Sequence, residues 1–259
     1  MTRFSIIAGM LAVAALLPAQ DSARQERMPV AAIPTPVAPP FGVGERLVYD
    51  VRLGPLHVGE GSMEVLEVES VRGKNAWHTR FSVKGGLPFY HVDDVYESWI
   101  DSSAFNSVRF VQDQDEGGRT RERRYEIYPE RSVFQEGDKP EEQSVENPLD
   151  DGAFLYFVRT MPLEVGQRYE FHRYFKPDRN PVVVKVIKRE RITVPAGTFN
   201  AVVIQPIIKT KGIFSEKGEA QIWLSDDERR IMLQLKSKTK IGSLNLFLKS
   251  LRPQTVPNP

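Results

Sequence analysis

Apolar and polar positions alternate with a period of two over most of the chain, starting with Leu47, Tyr49 and Val51 set against Arg46, Val48, Asp50 and Arg52. The same period runs through 57–68, 77–83, 92–100, 108–112 and 121–128. It returns in 168–174, 182–187, 201–209, 220–224, 231–240 and 244–248. β-Branched and aromatic residues fill these runs, so each predicts a half-buried strand. Turn residues separate them at 71–75, 116–118, 195–197 and 225–228. Only one internal stretch departs from the pattern. Ala153-Phe154-Leu155-Tyr156-Phe157-Val158-Arg159 follows Asp150-Asp151 and stops before Pro162. This predicts one short helix near 151–161. Its aspartates act as N-cap and complement the positive helix end, in preference to forming a metal or acid pair. The expected fold is mainly β: strongly curved antiparallel sheet or sheets forming a barrel-like or clam-like domain. Gly59, Gly61, Gly85 and Gly86 supply bulges or bends for that curvature.

The pattern also suggests a repeat. Val43-Gly44-Glu45-Arg46-Leu47-Val48-Tyr49-Asp50 resembles Val165-Gly166-Gln167-Arg168-Tyr169-Glu170-Phe171-His172, and Trp99-Ile100-Asp101 resembles Trp223-Leu224-Ser225. Gly44 lies 55 positions before Trp99, and Gly166 lies 57 before Trp223. Either the matches are coincidence, or the domain is two similar meanders, 41–135 and 163–252, joined through the helix. In the second case the two tryptophan strands must occupy corresponding places.

The ends read differently. Met1-Thr2-Arg3 precedes an uncharged apolar run from Phe4 to Leu17, closed by Pro18-Ala19. That run is shorter than the roughly 20 residues needed to span a bilayer, so 1–19 reads as a cleaved signal peptide. Residues 20–40, with Pro29, Pro34, Pro36, Pro39 and Pro40, read as a proline-rich linker. The domain then occupies 41–252 and a tail 253–259. The chain is expected to be exported, to a periplasmic or extracellular location, with no transmembrane helix after signal cleavage.

Composition narrows the chemistry. There is no cysteine, which removes disulfides, thiol catalysis and thiolate metal sites. A formal net charge of +1 gives no case for nucleic acid. The four histidines, His57, His78, His91 and His172, show no ligand spacing, so a histidine metal site would have to assemble from distant strands. No G-x-S-x-G serine motif and no phosphate-cradling glycine loop is present. No catalytic residue, cofactor or metal site is assigned. The basic strips Lys236, Lys238, Lys240 and Arg119, Arg121, Arg123 read as solvated strand faces, or as contacts for anionic groups. The densest polar-aromatic cluster is 88–99. Alternation puts His91, Asp93 and Trp99 on one face and Tyr90 and Tyr96 on the other. Tyr90, His91, Asp93, Tyr96 and Trp99 are the candidate ligand contacts.

One ordered set of segments carries a family resemblance. It runs Phe41-Gly42-Val43-Gly44-Glu45-Arg46-Leu47-Val48-Tyr49-Asp50-Val51, Val58-Gly59-Glu60-Gly61, Asp150-Asp151 with Leu155-Tyr156-Phe157-Val158-Arg159, and Pro162-Leu163-Glu164-Val165-Gly166. It ends with Val194-Pro195-Ala196-Gly197-Thr198-Phe199 and Ile222-Trp223-Leu224-Ser225-Asp226-Asp227. The span 41–252 resembles the exported bacterial family DUF3108, a domain of unknown function. The resemblance implies an exported β-rich protein and brings no site residues with it. Two functions compete. One is a non-catalytic binding, carrier or scaffold module for a lipid, a glycan or an envelope protein. The other is a hydrolase of envelope polymers using acids such as Asp93, Asp94, Asp226 and Asp227. A roomy apolar interior would favour the carrier form of the first.

Overall fold

The structure, a computed structural model, describes residues 30–31, 39–209, 219–239 and 242–255. The expected signal peptide, most of the linker, Lys240 and the last four residues lie outside these. Strands β1 (Val30–Ala31), β2 (Arg46–Leu53), β3 (Leu56–Val71), β4 (Lys74–Leu87), β5 (Tyr90–Asp101), β6 (Ser107–Glu116), β7 (Arg119–Tyr128), β8 (Val133–Glu136) and β9 (Glu142–Gln143) precede helix α1 (Asp151–Phe157). After it come β10 (Arg168–Phe171), β11 (Val182–Val194), β12 (Gly197–Ile207), β13 (Gln221–Ser225), β14 (Met232–Thr239) and β15 (Gly242–Arg252).

All the strands join one sheet of two antiparallel meanders, β2–β9 and β10–β15, fused where β15 pairs with β2. Val30 and Ala31, inside the segment read as linker, pair in parallel with Arg168 and Tyr169 at the β10 edge. The tail is anchored too: Thr255 donates its backbone N–H to Val43 O at 2.9 Å. The hydrogen-bond ladder does not close, because β9 ends one edge and β10 with β1 the other. Irregular backbone spans the gap. Leu149 forms a parallel bridge with Tyr174, and Ser144 Oγ donates to Phe175 O at 2.8 Å. The result is barrel-like without a continuous ring, and these contacts blunt both edges.

Asp150 caps α1, accepting at Oδ1 from Gly152 N and Ala153 N at 2.8 and 2.9 Å. A 3-10 turn, Val158–Thr160, continues the helix toward Pro162. Gly152 through Phe157 are all buried, so the helix sits inside the sheet and has no solvent face. Tyr156 packs edge-on to Phe41 at 4.8 Å, Phe41 packs on Trp77 at 5.4 Å, and Phe105 meets Phe157 at 5.8 Å. Among the described residues, aromatic and aliphatic side chains fill the inward positions around α1. The interior around α1 is a packed core, and the roomy apolar space that would favour a carried ligand is not seen among the described residues.

The two meanders match in detail. Trp99 and Trp223 both sit on the fourth strand of their meander, β5 and β13. Each indole N–H donates to a glutamate on the second strand, Trp99 to Glu69 and Trp223 to Glu190. Each second strand carries a bulge, at Val65/Glu67 and at Val186/Lys188. Gly44 N donates to Val65 O at 2.9 Å and Gly166 N to Val186 O at 3.0 Å. Both glycines have positive φ, +89° and +86°, where a side chain is strained. Ser102 N donates to Asn75 O and Asp226 N to Asn200 O, each at 2.9 Å.

Candidate functional site

The β4–β5 hairpin carries all five candidate contacts, but the structure does not gather them into one site. Alternation splits them between the two faces of β5. Asp94, Tyr96 and Ser98 point toward the core; Asp93, Val95, Glu97 and Trp99 point outward. On the inner face, Gln114 donates to Tyr96 Oη at 2.8 Å, and Ser98 Oγ donates to Asp150 Oδ1 at 2.6 Å. Burial, with help from Glu116, pushes the Asp94 carboxyl up to about 6. Burial likewise raises Tyr96, which keeps its phenol protonated. Tyr96 therefore acts as a polar core residue.

On the outer face, Asp93 is held by Lys84 at 2.6 Å. A cleft of about 460 Å³ crosses this face, lined by Asp93, Glu97, Arg80 and Lys84 together with flanking groups of β2, β3, β6 and β7. Most of its charges are already paired. Arg80 holds Glu97 at 2.7 Å, Arg124 holds Glu122 at 2.6 Å, and Arg46 lies 3.5 Å from Glu64. The hydrolase candidates stand apart: Asp93 outward, Asp94 inward, and Asp226 and Asp227 on the β13–β14 connection. Arg189 and Arg230 engage Asp226, while Ser225 and Arg229 engage Asp227.

Trp99 belongs to a cross-strand row that sequence reasoning did not assemble. Glu67, His78, Trp99, Arg109 and Glu126 are successive register partners across β3 to β7. His78 stacks on Trp99 with ring centres 4.1 Å apart, and the Arg109 guanidinium lies 5.4 Å from the indole. The signal was present: counting outward from the turn at Arg72-Gly73 sets Glu67 opposite His78.

At the hairpin tip, the flank of Tyr90 and His91 opens on a second cleft of about 650 Å³, which also includes Val58, Leu87, Pro88 and Phe89. Strands β3 and β4 meet closely here. A Cβ on Gly59 would fall 2.2 Å from Lys84 O, and one on Gly85 2.0 Å from Val58 O. These two glycines permit close backbone approach. Phe89 is 99% exposed, Tyr90 44%, and Leu56 on the neighbouring β2–β3 tip 54%.

Residues 48–249 match the model of DUF3108, described as a protein of unknown function. No curated protein matches the chain. A solved β-barrel-like protein of the unknown-function family DUF1849 from Brucella abortus is similar at 14% identity with TM-score 0.55, covering 85% of this chain and 99% of that one. A hypothetical protein from Chlamydia trachomatis is similar at 11% identity with TM-score 0.38, covering 86% and 96%. The first likeness shows the barrel-like fold. No helix among the described residues is long and apolar enough to cross a membrane.

Proposed function

The chain belongs to the DUF3108 family, and from that premise we propose that it is an exported, non-catalytic binding or scaffold module of the cell envelope, built from two pseudo-repeated halves. The observation that carries this reading is the apolar tip at Leu56, Phe89 and Tyr90. A fully exposed phenylalanine beside a second exposed aromatic is a contact surface in search of a partner. The packed interior directs the reading to the outside of the sheet, toward a lipid, a glycan or an envelope protein. The charged N-terminus and apolar run from Phe4 support export, to the periplasm or beyond the cell. The matched Trp–Glu pairs, bulges and turn bonds support the two halves.

Native mass spectrometry of the mature chain purified from the envelope tests the reading. The parent is expected to carry a reproducible added mass, and Phe89→Ser to lose most of it. An identical spectrum from both proteins contradicts the assignment of the tip.

A further inference from the structure

We propose that Glu67, Glu69 and His78 form a divalent-cation site on the outer face of the β3–β4 hairpin, a site separate from the hairpin tip. The bulge between Val65 and Glu67 resets the face of β3, so that Glu67 and Glu69 both point outward, with Glu67 directly opposite His78. One ligand atom from each residue lies within 4.8 Å of the others. Zinc bonds of about 2.0–2.2 Å place two ligand atoms no more than about 4.4 Å apart. Small side-chain rotations therefore bring the three onto one ion.

The imidazole is the group that points to a ligand. His78 is 9% exposed, and both its ring nitrogens are buried without a hydrogen-bond partner. Glu67 Oε1 lies 4.0 Å from Nδ1, too far for a hydrogen bond but close enough for both to bind one metal. On the other side of the ring, Nε2 lies 3.3 Å from Glu97 Oε1, and Arg80 fixes that carboxylate at 2.9 and 2.7 Å. A metal on Nδ1 would leave the Nε2 proton facing this carboxylate, the pairing that orients metal-bound histidines. Stacking on Trp99 holds the ring plane.

The second meander supplies an internal comparison. By register, Lys188, Glu190 and Val203 occupy the places of Glu67, Glu69 and His78. There Glu190 receives the Trp223 N–H at 2.7 Å and the Lys188 ammonium at 2.8 Å. In the first meander Glu69 keeps its tryptophan, but the lysine has become a second carboxylate and the valine an imidazole. A bound dication restores the positive charge that Lys188 provides in the other half. Two carboxylates and one imidazole suit Zn²⁺, with the remaining coordination position left for water or an external group.

Isothermal titration of the tag-free, chelator-treated full mature chain with ZnCl₂ tests this, with Co²⁺ absorption reporting the ligand geometry. One equivalent of Zn²⁺ is expected to bind. His78→Val and Glu67→Lys install residues the chain already uses at the equivalent positions, so both are expected to keep the parent's circular dichroism. Each is expected to weaken Zn²⁺ binding by about tenfold or more. Absence of binding by the parent, or equal binding by folded variants, would overturn the proposal.

Discussion

Replacing Arg159 by methionine is expected to destabilise the folded chain by about 3–5 kcal/mol, the usual penalty for removing one partner of a buried ion pair. Arg159 is 1% exposed and grips Glu45 with two hydrogen bonds, at 2.6 and 2.9 Å. It also donates to Pro40 O at 3.2 Å and to Arg229 O at 3.1 Å. One guanidinium thus ties the end of α1 to the entry of the first meander and to the β13–β14 connection of the second. Its plane also lies against Phe41 and Tyr156. Removing it leaves the Glu45 carboxylate buried and unpaired, along with two carbonyls. Urea unfolding reads the loss directly, and a melting temperature lower by roughly 10 °C should accompany it. The double replacement Arg159→Met with Glu45→Leu should recover part of the stability, because it leaves no orphaned charge. A single-variant effect below about 1 kcal/mol would show that the pair does not hold the two meanders together.

Asp150 gives the second large effect, and it depends on pH. Burial raises this carboxyl to about 6 from 3.8, even though Ser98, Ala153 and Ser107 hydrogen bonds pull the other way. Its Oδ2 is buried without a partner, which makes the charged form expensive. Between about pH 3.8 and 6 the folded chain holds a proton that the unfolded chain has released. The stabilising contribution is complete below 3.8 and is lost as the pH rises through 6. The full swing is about 3 kcal/mol. Asp150→Asn keeps an oxygen to cap α1 but cannot ionise. Its stability relative to the parent should therefore rise between pH 4 and pH 8, by up to about 3 kcal/mol in urea titrations. A difference that stays constant with pH would contradict this account of the cap.

Much of the fold was legible because it follows from local periodicity. Alternation marked the long strands, and the Asp150 cap with Pro162 marked the helix. The spacing of Gly44 to Trp99 and Gly166 to Trp223 pointed to two runs whose tryptophans do fall on corresponding strands. Contacts made far along the chain were not legible. Arg159 and Glu45 are 114 residues apart, and nothing in either neighbourhood names the other. The bridge of Leu149 to Tyr174 was not legible either: the period-two run 168–174 predicts a strand through Tyr174, but the strand ends at Phe171 and Tyr174 bridges to irregular backbone. The candidate contacts form a dense cluster on one strand, but a strand shows its residues to two faces. Tyr96 went to the core, and Trp99 joined His78 and Glu69. The place of Glu67 and Glu69 depends on the facing strand, which local periodicity does not name. The exposure of Phe89 was hidden as well, since a hairpin-tip phenylalanine reads like any core residue until its neighbours are known.

The central claim is that the apolar tip of the β4–β5 hairpin is where this protein meets its envelope partner. The most direct measurement places a photo-crosslinking residue at position 89 in living cells and compares it with one at position 187, an exposed apolar site on β11. A discrete adduct from position 89 that is absent from position 187 is the expected result. No adduct at position 89, or the same products from both positions, would contradict the claim.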